Sequence, residues 1–181
     1  MASTLAYAEA VRVGVVSPSH RVATTSALLA TACAIGLVEA ALPGLPFAPW
    51  LHLGLANVAV VIALAAFGLK SAALVSIGRV GVVGLATGSL LSPASAMAGA
   101  GAIAALAAMW CLRRVVPTTT AVGWSAVGSA AHVAAQFVAA SVLLGSSALI
   151  VLAPLSVLVA LILGALVGYL ASIVVSRLRV R

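Results

Sequence analysis

The chain of 181 residues contains no aspartate, and its only acidic residues are Glu9 and Glu39. Charged residues make up 6% of the sequence, whereas they make up about a quarter of ordinary soluble chains. The lack of aspartate excludes the clustered carboxylates with which enzymes hold Mg²⁺ around a diphosphate. We therefore expect neither a soluble domain nor a diphosphate-transforming enzyme.

Metal-binding and nucleic-acid-binding patterns are also missing. The two cysteines, Cys33 and Cys111, lie in different predicted helices, outside any CxxC or Cys/His spacing. We expect free thiols, with no metal and no cofactor. The nine Lys and Arg residues are thinly spread and lack the interleaved aromatics of a phosphate-binding surface. Nucleic acid is therefore not an expected partner.

Apolar residues dominate the chain, at 65% of the sequence. A run of about 20 apolar residues is long enough to cross a bilayer, and we predict six such helices. Their expected ranges are 22–42, 50–67, 70–91, 92–114, 120–144 and 148–175. Proline and glycine mark the breaks between them. The pattern predicts an all-α integral membrane protein that contacts lipid.

Basic residues predict the orientation of this bundle. Eight of the nine flank the predicted helices on one side, and the opposite breaks carry no Lys or Arg. Because positive loops face the cytoplasm, we expect both termini there. The predicted parts are a cytoplasmic segment at 1–21, a transmembrane domain at 22–175 and a basic cytoplasmic tail at 176–181. The eight residues are Arg12, Arg21, Lys70, Arg113, Arg114, Arg177, Arg179 and Arg181.

Arg79 is the ninth basic residue and lies inside a predicted span. Ionisable groups in a bilayer cost roughly 2.5–3.5 kcal/mol on insertion scales, so they usually face the protein interior and function there. Glu39, Asn57, His132 and Gln136 are further polar residues within predicted helices, and the last two share a face because they are four residues apart. We predict that all five line a substrate cavity open to the outer half of the membrane.

The expected roles follow from side-chain chemistry. Arg79 would pair with an anion, His132 and Gln136 would donate or accept hydrogen bonds, and Asn57 would orient the solute. Glu39 would balance Arg79 or gate the entrance. The alternatives are structural: a salt bridge between Arg79 and Glu39, snorkelling of Arg79 toward the cytoplasm, or hydrogen bonds that only join helices.

Small residues indicate where helices pack closely. Gly84 lies on the face of the third predicted helix opposite Arg79, and Gly164 with Gly168 forms a GxxxG spacing in the sixth. We expect these faces to contact neighbouring helices. The first helix has a face of small residues made of Ala23, Ala27, Ala30 and Ala34.

Five segments together carry a family resemblance. They are Pro49-Trp-Leu-His-Leu-Gly-Leu-Ala-Asn57, Gly68-Leu-Lys70, Arg79, Met109 and Val122-Gly-Trp-Ser-Ala-Val-Gly-Ser-Ala-Ala-His132-Val-Ala-Ala-Gln136. Over roughly residues 39–168 the chain resembles the membrane family called heptaprenyl diphosphate synthase component I, also known as the Gx transporter family. One departure is Val133, which follows His132 where the family has asparagine.

That family is similar in size and six-helix layout to the S components of energy-coupling factor transporters. The resemblance implies a bacterial plasma-membrane subunit that captures a small molecule from outside, and Arg79 makes an anion the expected solute. It also implies partnership with a T subunit and ATPase subunits, with the alanine face of the first helix docking on the T subunit. The competing implication is a non-catalytic accessory of a polyprenyl diphosphate synthase. A third alternative is that the chain is a structural membrane subunit of a redox or flavin-transfer system.

The predicted orientation can be tested by cysteine labelling. In a chain whose Cys33 and Cys111 are replaced by alanine, an impermeant maleimide added outside intact cells should label Ser146→Cys. It should not label Val115→Cys until the membrane is permeabilised, because residue 115 lies at the predicted cytoplasmic end. The reverse result would overturn the orientation.

Overall fold

The computed structural model describes residues 17–42 and 54–178. Within these ranges the chain is helical and contains no strand. The helices are α1 (Pro18–Ala41), α2 (Asn57–Phe67), α3 (Leu69–Ala86), α4 (Pro93–Val115), α5 (Ala121–Leu144) and α6 (Ala153–Leu178), with a short 3₁₀ helix at Ser147–Leu152 before α6.

Five of these helices are long and apolar enough to cross a membrane: α1, α3, α4, α5, and α6 taken with its 3₁₀ helix. The chain is therefore a multi-pass membrane protein. Helix α2 has 11 residues, so it is about 16 Å long, roughly half the thickness of a bilayer core. The second of the six predicted spanning helices, at 50–67, is thus represented in the described residues only by this short helix.

The predicted helix breaks agree with the structure at three places. Gly68 separates α2 from α3 with a φ of 83°, a conformation that glycine adopts at little cost. Ser92 caps α4, accepting a 3.3 Å hydrogen bond from the Ser95 backbone N–H, and Pro93 follows in the first turn. Gly145 ends α5. These local signals are strong because each depends on backbone chemistry rather than on tertiary contacts.

Two predicted bounds are wrong. Helix α3 ends at Ala86 rather than near Leu91, because the chain turns at Gly88, which has a φ of 68°. Helix α2 begins at Asn57 rather than near residue 50, since the described residues before it form a turn in which the Asn57 N–H bonds the Gly54 carbonyl at 2.9 Å. Hydropathy gave no sign of either turn, because neither segment contains a Lys, Arg, Asp, Glu or Pro residue.

Helix α2 occupies the centre of the bundle. All seven residues from 59 to 65 are buried, and the helix contacts α1, α3, α5 and α6. A helix that is apolar on every side is suited to such an enclosed position. Its side chains join those of the surrounding helices in one large core cluster, whose largest fully buried apolar members are Val60, Val61, Leu64, Val75 and Met109.

Two arginines bind the C-terminal carbonyls of α2. Arg21 of α1 donates from Nη2 to the Phe67 carbonyl at 2.8 Å, and Arg113 of α4 donates to the Leu64 carbonyl. The Arg113 guanidinium also lies over the Trp124 ring of α5, 5.1 Å from its centroid. The last carbonyls of a helix have no intrahelical partner and favour cations. These contacts join four helices at one end of the bundle.

This end is called the basic end, and it contains Arg21, Lys70, Arg113, Arg114 and Arg177. Each of them lies within the first or last turns of its helix. The antiparallel pairing of α5 and α6 brings Arg177 to this end. Among the described basic residues, Arg79 alone lies elsewhere.

Glycines set the close approach of α5 and α6. A Cβ at Gly164 would lie 2.5 Å from the Ser129 Oγ, and one at Gly168 would lie 2.6 Å from the Val122 Cα. Both distances are shorter than real Cβ contacts, so a side chain at either position would push the helices apart. The GxxxG spacing therefore marks a packing face here, as predicted.

Candidate functional site

A cavity of about 370 Å³ lies in the half of the bundle away from the basic end. It is lined by the C-terminal parts of α1 and α3, by the starts of α2 and α4, and by parts of α5 and α6. Pockets for small molecules usually measure about 300–1,000 Å³, so this one is at the small end of that range. Six helices thus contribute to a single space.

All five residues that the sequence predicts for a substrate cavity line this one: Glu39, Asn57, Arg79, His132 and Gln136. They come from α1, α2, α3 and α5, so only the folded bundle brings them together. Most of the remaining lining residues are small or apolar. Polar chemistry in the cavity is therefore concentrated in a few side chains.

Arg79 is the cation of the cavity. Its Nε is buried and has no hydrogen-bond partner among the residues that the structure describes. Its stem lies against α1, where a Cβ at Gly36 would be 3.7 Å from both its Cγ and its Cδ. Glu39, Cys33 and His132 are near enough to interact with it electrostatically. A guanidinium offers five N–H donors in a planar fork, so Arg79 retains donor capacity beside the cavity.

Glu39 links α1 to the start of α2. Its Oε1 accepts a 2.8 Å hydrogen bond from the Leu55 backbone N–H, in the turn that precedes Asn57. Ala56, at the N-cap of α2, has no side chain that can cap the helix. A carboxylate is favourable beside a helix N-terminus because the helix dipole is positive there. Glu39 therefore has a structural role that its position in the sequence did not indicate.

Asn57 is half-buried and is the first residue of α2, directly after the turn that Glu39 binds. The sequence placed it about two turns inside a longer helix, and that depth is wrong because the helix starts later. Its predicted place on the cavity wall is unaffected. Because Asn57 is the first residue of α2, its side-chain amide lies beside the positive N-terminus of that helix.

His132 fits against a glycine on the neighbouring helix α4. A Cβ at Gly101 would lie 2.8 Å from the ring atoms Cε1 and Nε2 of His132, and 2.9 Å from Cδ2. The ring also interacts with the Gly101 backbone. Gln136 and Ser129, on either side of His132 along α5, line the same cavity. The missing side chain at Gly101 thus provides the space that the imidazole occupies.

Several cavity residues were not predicted. Gly84, which the sequence placed on a packing face opposite Arg79, lines the cavity with it and also packs against Leu90. Ser95 lines the cavity and donates a 2.7 Å hydrogen bond to the Ser89 carbonyl across the turn between α3 and α4. Short hydroxyl residues are common in helices and turns, so their spacing gives no distinctive signal.

The alanine face of α1 lies away from this site. Its four members are exposed, whereas Thr25, Ala32, Cys33 and Gly36 form the buried side of the same helix. The face therefore contributes nothing to the cavity wall and presents a flat surface of small side chains. Its members are Ala23, Ala27, Ala30 and Ala34.

Comparison with known proteins identifies the family. The sequence matches heptaprenyl diphosphate synthase component I over residues 28–174, a range that includes every residue lining the cavity. The chain belongs to the heptaprenyl diphosphate synthase component I family. This match confirms the resemblance seen in the sequence. No curated protein and no solved structure matched the chain.

The contact between Gly101 and His132 can be tested in this component I family member by a matched pair of substitutions. Gly101→Ala should displace the imidazole, because the new methyl group would overlap three ring atoms. Gly99→Ala makes the same change where no atom lies within 4 Å, and should leave the ring in place. ¹⁵N-histidine NMR spectra, assigned with His132→Gln, measure the effect. Equal spectra for the two alanine variants would contradict the contact.

Proposed function

We propose that this chain is the substrate-binding membrane subunit of an energy-coupling-factor-type transporter, and that it captures a small anionic solute from outside the cell membrane. One observation carries the proposal: five rare polar side chains from four helices line one cavity, away from the basic end of the bundle. If positive residues face the cytoplasm, the cavity faces outward. A site in that half of the membrane is suited to uptake.

Each polar residue has a role in the proposed site. Arg79 pairs with the anionic group of the solute, since its Nε lacks a partner within the described structure. His132 and Gln136 hydrogen-bond the solute from α5, and Asn57 orients it from the start of α2. Glu39 holds the turn before α2 and offsets the charge of Arg79, which would otherwise be costly at this depth.

The partners follow from the family's similarity to S components. A T subunit docks on the alanine face of α1, where small side chains allow another helix to approach closely. ATPase subunits supply energy through that T subunit. Other exposed apolar side chains, such as Leu74 and Ile77 of α3, contact lipid.

The proposed role is not catalytic. The chain has no aspartate with which to build the carboxylate cluster that holds Mg²⁺ around a diphosphate. A second candidate role is that of a non-catalytic membrane accessory to a polyprenyl diphosphate synthase. The family's name favours this alternative.

Ligand retention tests the site residues. Purified protein should retain a small molecule that mass spectrometry detects after denaturation. Arg79→Ala or His132→Ala should reduce the retained amount by about tenfold or more, because a hydrogen bond to a charged group contributes about 1.5–3 kcal/mol. Arg114→Ala is the matched control, because Arg114 stacks on Trp110 at the basic end, 5.0 Å from its ring centroid. Equal retention by all three variants would show that the site is wrongly assigned.

Copurification separates the two candidate functions. From native membranes, the wild-type chain should recover a T subunit with ATPases. Ala27→Leu should reduce that recovery, because the larger side chain prevents the close approach of another helix to the alanine face. Ala107→Leu makes the same change at an exposed alanine of α4 and should have no effect. Recovery of an aspartate-rich prenyltransferase, without ATPases, would favour the accessory role.

A further inference from the structure

The cavity has equal numbers of fixed positive and negative charges. Within residues 17–42 and 54–178, Arg79 and Glu39 are the only Lys, Arg, Asp or Glu residues that line it. Residues 43–53, whose structure is not described, contain no Lys, Arg, Asp or Glu, so the sequence supplies no further charge from that segment. With His132 counted as neutral, the formal charge of the site is therefore zero.

From this charge count we infer that the site takes a small molecule with a single anionic group, such as a monocarboxylate or an amino-carboxylate zwitterion, and does not take a diphosphate. The inference rests on the proposed function and specifies the class of solute. It also bears on the family's name, which would suggest a prenyl diphosphate as ligand.

Counter-charge is the first argument. A phosphate monoester alone carries about −1.5 to −2 charges at pH 7, and a diphosphate carries more. Arg79 supplies one positive charge, and Glu39 is close enough to interact with it, so part of that charge is already balanced. A second negative charge on the ligand would be left unpaired at a depth where unpaired charges strongly oppose binding.

A bound metal ion is not a suitable source of the positive charge that a diphosphate would need in this cavity. Mg²⁺ is usually held by one or two protein carboxylates together with phosphate oxygens. Glu39 is the one carboxylate that the described part of the chain places in the cavity wall, and its Oε1 accepts the hydrogen bond from the Leu55 N–H. With no second carboxylate beside it among the described residues, Glu39 does not form the carboxylate cluster with which enzymes hold Mg²⁺ around a diphosphate.

A single anionic group suits the same residues. A carboxylate can accept two parallel hydrogen bonds from the planar fork of Arg79. The carboxylate of Glu39 has more acceptor positions than its bond to Leu55 uses, so a cationic amino group on the ligand can pair there. Such a zwitterion leaves the site neutral. The amides of Asn57 and Gln136 then bind neutral polar groups.

The first experiment identifies the retained molecule. Small molecules released from the purified wild-type chain are compared with those released from Arg79→Ala. A species that depends on Arg79 is then analysed for phosphorus and for charge by accurate mass and anion exchange. We expect a species with one anionic group and no diphosphate. An Arg79-dependent diphosphate would overturn this inference while leaving the proposed function standing. No Arg79-dependent species at all would overturn both.

The second experiment uses named probes. Inorganic pyrophosphate and geranyl diphosphate are titrated, without and with Mg²⁺, into the wild-type chain in nanodiscs, and the unfolding midpoint is followed. Neither probe should give a saturable shift that Arg79→Ala abolishes. Glu39→Gln serves as a comparison, because it raises the formal charge of the site by one. A saturable shift in the wild-type chain that is lost in Arg79→Ala would overturn the exclusion of diphosphates.

Discussion

The enclosure of α2 is the constraint on which the rest of the structure depends. A backbone N–H or C=O that is left without a partner inside a membrane costs several kcal/mol, so a helix too short to span must have its ends satisfied by the protein. Arg21 and Arg113 bind carbonyls at its C-terminal end, and Glu39 binds the turn at its N-terminal end. The surrounding helices are thereby fixed around α2, and the cavity lies where α2 begins.

The same constraint explains how a strongly apolar chain holds an arginine at depth. Glu39 is near enough to Arg79 to interact with it electrostatically, and it is itself anchored to the backbone of the α2 turn, so the opposite charge is held in place. Gly101 leaves room for His132 on the facing helix, and Gly36 lies against the stem of Arg79. At Gly101 the missing side chain provides the space that the imidazole occupies.

Membership of the component I family does not by itself decide between transport and a synthase accessory role, since the family is named for an enzyme. The arrangement of charges is more informative. A neutral site with one arginine favours capture of a modestly charged solute, whereas handling of a diphosphate calls for several cations or a metal. The exposed alanine face of α1 is a second surface, distinct from the cavity, and is the one on which we propose that a partner subunit docks.

Composition and local chemistry determined much of this protein without any tertiary information. The apolar runs predict the membrane helices, and the breaks at Gly68, Ser92-Pro93 and Gly145 follow from backbone preferences. The cost of burying polar groups singled out five residues, all of which line the cavity. Packing alone decided the late start of α2 at Asn57, the bond from Leu55 to Glu39 and the fit of His132 against Gly101. Those features depend on contacts between residues far apart in the chain, and the hydropathy of the sequence does not predict such contacts.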